Sequence, residues 1–274
     1  MADTEHISIV ELGVGDAQAG LALSTEAHWN QNEDDWRFFL TKGIVFGIRD
    51  RGQLVATAAL LPYSAGNAWI SMVLVTANWR RRGVATRLVD ACLNAARKLE
   101  LTTWLDATPA GAAVYGPLGF TPTLQLRRLR LEKATPAEAL PSLSPCSLDE
   151  FIARDSRAIG FDRSALLGEF AARSGSRVLS DGHAMAIVRD GRTARQIGPL
   201  LADSPESALA LVDAIAGFET RPILLDAVGS QVGFLAGLTR AGWSIERPFQ
   251  RMRFGRATAQ SSELPFAVAG PEFG

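Results

Sequence analysis

Cysteine is nearly absent from this chain. Only Cys92 and Cys146 occur among 274 residues, which supports neither a disulfide framework nor a metal-ligand spacing. An excess of one charge is lacking too: 28 Lys and Arg stand against 29 Asp and Glu, a formal net charge of −1. General affinity for nucleic acid needs a basic surplus, so DNA and RNA are set aside as partners. No apolar run approaches the roughly 18 residues of a membrane-crossing helix, and no charged-then-apolar leader opens the chain. A soluble, cytoplasmic protein with no membrane partner is expected. What is present is a hydrophobic fraction of 47% beside 21% charged residues. That composition buries a full core, and the length suits two domains better than one.

The most informative stretch runs from Ala68 to Phe120. An apolar run (Trp69 to Val75) leads into a basic turn, RRRGVA, then an amphipathic segment (Thr86 to Leu99). A second apolar run (Leu101 to Ala107) follows, then a short segment that holds Tyr115 and closes on Gly119-Phe120. The order is strand, turn, helix, strand, helix. Gly83 lets the backbone approach an anion closely, and the first turn of the helix behind it leaves backbone N–H groups unpaired at the positive end of the dipole. Arg80, Arg81 and Arg82 add full charge. The turn matches neither the dinucleotide fingerprint nor the P-loop. Taken alone it reads as a pyrophosphate cradle or as a solvated basic loop. Cys92, on one helical face with Leu88, Ala95 and Leu99, reads as a core thiol.

R-x-x-G-x-A after an apolar strand, with VYGPLGF beginning 31 residues past Gly83, resembles the GNAT superfamily of N-acetyltransferases. Arg80, Gly83 and Ala85 fall on its first motif; Tyr115, Gly119 and Phe120 fall on its second. The family often has Asn seven residues before the Tyr, where this chain has Thr108. The resemblance implies acetyl-CoA as acetyl donor. Its phosphates would rest on Arg80, Arg81, Arg82, Gly83, Val84, Ala85 and Thr86, and its pantetheine arm along Val73, Leu74 and Val75, a strand splayed from its neighbour. It also implies direct attack of an amine on the thioester, with no acyl-enzyme. Backbone N–H near Leu74 or Val75 would hold the oxyanion, and Tyr115 would protonate the departing thiolate; a phenol near its ordinary pKa is protonated at neutral pH.

The early segment DAQAGLALSTEAHWNQNEDDWRFFL predicts two helices broken around His28 to Asn32. The second begins at Asn32 or Glu33 and buries Trp36, Phe39 and Leu40. In the family this region lines the acceptor side. Trp29, Gln31, Glu33, Asp34, Asp35 and Tyr63 are therefore candidate substrate contacts, though the acids equally suit a solvated helix start. For the base, His28, Glu26 and Glu33 are candidates beside water-mediated deprotonation. The acceptor is read as a small cationic amine, with a lysine or peptide terminus left open. A first edge strand at Ile7 to Val10, strands at Ile44 to Ile48 and Gln53 to Leu61, and a last strand over Leu124 to Leu131 complete this half.

Residues 133–145 hold three prolines and read as a linker. Beyond it the first half recurs in worn form. LVDA at 88–91 returns at 211–214, LDA at 105–107 returns at 225–227, and Gly119-Phe120 is echoed by Gly242-Trp243. The second copy lacks the glycine and arginines of the turn, though Pro205 still suits a helix start, and Leu235 stands where the repeat aligns with Tyr115. Asp106 could serve as a base, but its recurrence as Asp226 in the degenerate copy favours a structural carboxylate. His183 is read as part of a strand, and His6 says little.

The expected architecture is mixed α/β: two GNAT-like domains, each a mostly antiparallel twisted sheet with flanking helices and one parallel crossover. The divisions are an acetyltransferase domain (1–132), a linker (133–145), a degenerate GNAT-like domain (146–256) and a tail (257–274), in a monomer or homodimer. The expected function is acetyl-CoA-dependent N-acetyl transfer to a small-molecule amine. A non-catalytic acyl-CoA or amine sensor on the same fold is the alternative.

Overall fold

Local chemistry sets the element boundaries. This computed structural model describes residues 8–133, 143–256 and 265–274; His6, the linker positions 134–142 and the tail positions 257–264 lie outside the described residues. Asn32 Oδ1 accepts from the Asp35 N–H, and Asp35 Oδ2 accepts from the Asn32 N–H. That capping box starts a helix where the sequence predicts one.

In chain order the elements are β1 (Ile9–Glu11), α1 (Ala17–Glu26), α2 (Glu33–Lys42), β2 (Ile44–Asp50), β3 (Gln53–Pro62), β4 (Asn67–Val75), α3 (Val84–Lys98), β5 (Thr102–Ala107), α4 (Pro109–Tyr115) and β6 (Thr121–Leu131). The second half adds β7 (Ser144–Pro145), α5 (Leu148–Ile159), α6 (Ser164–Ala172), β8 (Arg177–Ser180), β9 (Ala184–Asp190), β10 (Arg195–Ala202), α7 (Pro205–Phe218), β11 (Ile223–Val228), α8 (Val232–Arg240) and β12 (Ser244–Phe254). No helix among the described residues is long and apolar enough to cross a membrane.

Contacts divide the chain into two units. The first comprises Met1–Leu105 with Arg253–Gly255 and Phe273; the second comprises Asp106–Met252, Arg256–Glu272 and Gly274. In the first, β1, β2, β3 and β4 follow one another as antiparallel neighbours, and β5 joins β4 in parallel. Helix α3 supplies the crossover and buries Val84, Leu88, Val89, Cys92, Leu93 and Ala96. Cys92 is a core thiol, as its spacing implies, and burial pushes its pKa far up. Leu99 is not part of that face: it lies just past the helix and is exposed. Helices α1 and α2 pack through Trp36, which is fully buried and donates its indole N–H to Ser24 Oγ at 2.9 Å.

The second unit repeats the pattern. Its strand order is β12, β6, β11, β10, β9, β8, β7, with β10 and β11 parallel and their neighbours β6 and β9 antiparallel to them. The sequence echoes fall on equivalent elements: LDA lies on β5 and again on β11, and LVDA lies on α3 and again on α7. Phe120 and Trp243 are both buried, each after a glycine in left-handed conformation. Pro205 opens α7 at its first position. His183 sits in an exposed turn ahead of β9 rather than in a strand, because Asp181 accepts from the His183 and Ala184 N–H groups and closes that turn.

Two buried ion pairs mark the repeat. Asp226 on β11 accepts from Arg128 on β6 through both oxygens at 2.8 Å, and Gln196 Nε2 adds a third bond at 3.0 Å. Asp106 accepts from Arg251 on β12 in the same two-pronged manner, again at 2.8 Å. Neither carboxylate has any exposed side-chain surface. Asp106 is held by a guanidinium in its own unit, the structural role that its recurrence suggests. Desolvation pushes its pKa up against the pull of Arg251.

Candidate active site

The basic turn has the geometry of an anion cradle. After β4 ends at Val75, Arg80 Nε donates to the Val75 carbonyl at 3.0 Å and folds the turn back on its strand. Arg82 lies over the Trp79 ring, 5.2 Å from its centre. Arg81 (φ 58°) and Gly83 (φ 71°) both take left-handed conformations, so the chain reverses within three residues. Arg80, Arg81 and Arg82 are exposed.

Gly83 is the N-cap of α3, and no side chain caps the helix. Ser, Thr, Asp or Asn at this place would consume a first-turn donor. Glycine leaves the N–H groups of Val84, Ala85 and Thr86 at the positive end of the dipole without such a partner. Among the described residues a Cβ on Gly83 would meet nothing within 4 Å. The position thus selects glycine for its backbone angle and leaves open space in front of the helix. Those features fit a phosphate group.

The equivalent turn in the second unit is closed. Ser204 caps α7, its Oγ accepting from the Ser207 N–H at 3.2 Å, and Asp203 beside it is paired with Arg154 at 2.7 Å. A hydroxyl and a carboxylate occupy the place that glycine and arginines hold in the first unit. Leu235, aligned with Tyr115, packs against the hydrophobic core.

Strand β4 presents a free edge beside the cradle. Its parallel pairing with β5 covers Asn67–Trp69 against Thr102–Trp104, and β4 then runs on to Val75. Among the described residues Ile70, Ser71, Leu74 and Val75 pair with β3, on one side only. A bulge interrupts that pairing, where Met72 takes φ 51° and the Thr57 hydroxyl donates to its carbonyl at 2.8 Å. A buried non-glycine residue in this conformation is strained by about 1–3 kcal/mol, and the bulge re-aims the backbone of Val73, Leu74 and Val75. Among the described residues the buried Ser71 Oγ next to it has no hydrogen-bond partner.

On the expected acceptor side, α1 and α2 separate at His28 to Asn32 as predicted. The Glu26 carboxylate is fully engaged: Oε2 accepts from Thr76 Oγ1 at 2.7 Å and Oε1 from the Ala77 N–H at 2.8 Å. These bonds, with the charge of Arg80, hold its pKa below the usual carboxylate value. The structure therefore joins the end of α1 to the start of the basic turn. No spacing signal could reveal that tie, since Thr76 and Ala77 lie 50 and 51 residues from Glu26.

His28 is exposed with φ 57°, its N–H bonded to the Thr25 carbonyl. The Trp29 N–H donates to Ser24. Gln31 is 3% exposed, and among the described residues its Oε1 accepts from no group. Glu33 is bound by Arg37 and Gln18, and Asp35 belongs to the capping box. Asp34 is exposed. The Tyr63 hydroxyl donates to the Phe273 carbonyl at 2.8 Å, and the Phe273 ring stacks on Phe39 at 4.9 Å. Two of the three candidate acids are thus committed to local partners, while Gln31 carries an unanswered acceptor.

Tyr115 belongs to the second unit. It ends α4, whose N-cap Thr108 accepts from the Gly111 N–H at 3.2 Å. Its half-buried ring lies 6.0 Å from Phe120.

Comparison with known proteins agrees with this geometry. Residues 16–120 match the acetyltransferase (GNAT) family model, and residues 152–267 match a second model described as an acetyltransferase (GNAT) domain. YitH of Bacillus subtilis, an uncharacterized N-acetyltransferase, is 23% identical over 75% of this chain and 77% of its own. A Pyrococcus horikoshii protein described as an acetyltransferase superposes with a TM-score of 0.84 at 18% identity, covering 99% of this chain and 97% of the other. A tandem GNAT protein from the clavulanic acid biosynthesis pathway superposes at 0.65 with 16% identity, covering 92% and 100%. The chain belongs to the GNAT superfamily of N-acetyltransferases, as a tandem of two GNAT domains.

Proposed function

We propose that the first domain, residues 1–132, binds acetyl-CoA and moves its acetyl group directly to the amine of a small molecule, and that the degenerate domain, 146–256, holds no cofactor. The observation that carries this reading is the uncapped start of α3 behind left-handed Gly83. Arg80 to Arg82 and the N–H groups of Val84, Ala85 and Thr86 would take the phosphates. The open edge from Val73 to Val75 would take the extended arm, with its N–H groups polarising the carbonyl that is attacked.

Bound acetyl-CoA supplies a thioester whose carbonyl carbon accepts the amine. His28 is assigned as proton acceptor from that amine, directly or through water, because Glu26 is held ionised by two donors and is the weaker base. Tyr115 is assigned as donor to the departing sulfur. Trp29, Gln31, Glu33 and Tyr63 form the proposed acceptor side, where the buried Gln31 Oε1 would accept from an ammonium or amide N–H. In this reading the chain is a cytoplasmic monomer or homodimer.

Calorimetric titration of acetyl-CoA into the protein and into Gly83→Asp tests the assignment. Aspartate tolerates a left-handed backbone and caps helices, so the fold is kept while its carboxylate occupies the donors meant for phosphate. One equivalent per chain is expected, with binding weakened by about tenfold or more in the variant. No binding to the unaltered protein, or equal binding to both, would overturn the reading.

A further inference from the structure

The parallel strands of the second unit open in the same way as those of the first. β10 and β11 pair over Arg195–Ile197 against Ile223–Leu225, three positions, as β4 and β5 do over Asn67–Trp69. Past that point β10 and β11 are bridged by residues 266–268 of the same chain. Phe266 N–H donates to the Leu200 carbonyl at 2.8 Å, and Leu200 N–H donates to the Ala267 carbonyl at 2.9 Å. On the other side Val228 N–H donates to Phe266 and Val268 N–H to Asp226, both at 3.0 Å. The Ala267 N–H also reaches the Leu200 carbonyl at 3.4 Å, so an extended backbone spans the wedge with three bonds to β10 and two to β11.

The side chains are fitted as closely. The Phe266 ring stands edge-on to Phe234 at 5.4 Å, Ala267 is fully buried, and Val268 packs with Leu126, Val228 and Phe249. Approach at Gly198 is so close that a Cβ there would fall on the Val268 carbonyl. Arg189 donates to the Ala269 carbonyl at 2.9 Å and faces Glu272 at 3.6 Å.

We propose that the wedge between β10 and β11 is a site for an extended peptide, and that Pro265–Glu272 is its resident ligand. Its specificity would be a phenylalanine, small and β-branched residues behind it, and an acidic residue for Arg189. Main-chain bonds supply the affinity and the alternate pockets the selectivity. The parallel with the first unit rests on the reading of β4 as a cofactor edge; the peptide assignment rests on the second unit alone.

The test uses the full chain, Val268→Pro, and a chain ending at Leu264. In the full chain the Leu200 and Val228 amides are expected to exchange slowly with solvent. Val268→Pro removes the bond to Asp226 and is expected to speed exchange at both, leaving Ile197 and Leu225 protected. Unchanged protection would overturn the proposal, and this arm stands even if the shortened chain fails to fold. A synthetic peptide of residues 265–272 is expected to bind the shortened chain one to one and to restore protection. Replacing its Phe266 with Ala should weaken it about tenfold or more. No peptide binding, or a second equivalent of acetyl-CoA on the shortened chain, would overturn the peptide site. Failure of the intact chain to bind acetyl-CoA would remove the cofactor reading and leave the peptide result standing.

Discussion

Both oxygens of the Glu26 carboxylate are satisfied just past the end of β4, through Thr76 Oγ1 and the Ala77 N–H. The lowered pKa has a thermodynamic consequence. A carboxylate whose folded pKa lies below its ordinary value stabilises the fold above that ordinary value, and loses its contribution as the pH falls through the lowered one. Thr76→Val removes the largest cause of the shift while nearly preserving shape. The Glu26 pKa should then rise toward the ordinary carboxylate value, followed by carbon-detected NMR titration of the side-chain carboxyl. A titration unchanged by the substitution would show that the Thr76 bond does not hold Glu26. At neutral pH the carboxylate is ionised in both proteins, so its task here is to fix the end of α1 to the turn.

At the scale of elements, α1 meets α2 through a glycine. A Cβ on Gly20 would overlap the Trp36 ring, which is fully buried. Alanine is the better helix former by roughly 1 kcal/mol, yet overpacking a rigid indole costs about 1–3 kcal/mol. Gly20→Ala is expected to destabilise the protein by up to about 2 kcal/mol on balance, read from the midpoint of urea unfolding; a stabilised variant would mean that the helices slide apart freely. This packing was half legible. The periodicity of Trp36, Phe39 and Leu40 places them inward, and the turn glycine, α3 and both crossovers follow from local pattern. The Gly20 contact does not, because nothing in α1 alone says which face meets a tryptophan 16 positions on. The Glu26–Thr76 tie and the Phe266–Val268 insertion escape for the same reason. Backbone partners that distant in the chain leave no periodic trace, and short stretches of small apolar residues read alike as tail or as core.

At the scale of the whole molecule, the repeat in the sequence is not a division of the hydrogen bonds. Strand β6 precedes the proline-rich stretch, yet it registers with β11 over six consecutive positions, from Leu131 opposite Ile223 to Leu126 opposite Val228. Arg128 on that strand is also the guanidinium that neutralises Asp226, which has no exposed surface. A fragment that begins after the proline-rich stretch keeps the carboxylate and loses its cation. Removing one partner of a buried pair costs about 3–5 kcal/mol, a large share of the roughly 5–15 kcal/mol that holds a domain together. It would also bare one edge of β11 and the apolar face that Leu126, Leu129 and Leu131 cover. A fragment of residues 143–274 is therefore expected to be unfolded or aggregated. One of 106–274, which keeps β6, should unfold cooperatively in urea with a sigmoidal loss of circular dichroism. Adding Asp226→Leu with Arg128→Met to the longer fragment separates charge from strand pairing. If the pair matters mainly as a buried charge that must be answered, this double variant should fold nearly as well as its parent, while Arg128→Met alone should not. A shorter fragment as stable as the longer one would show instead that β11 closes its own edge, and that β6 is an addition the second unit can lose.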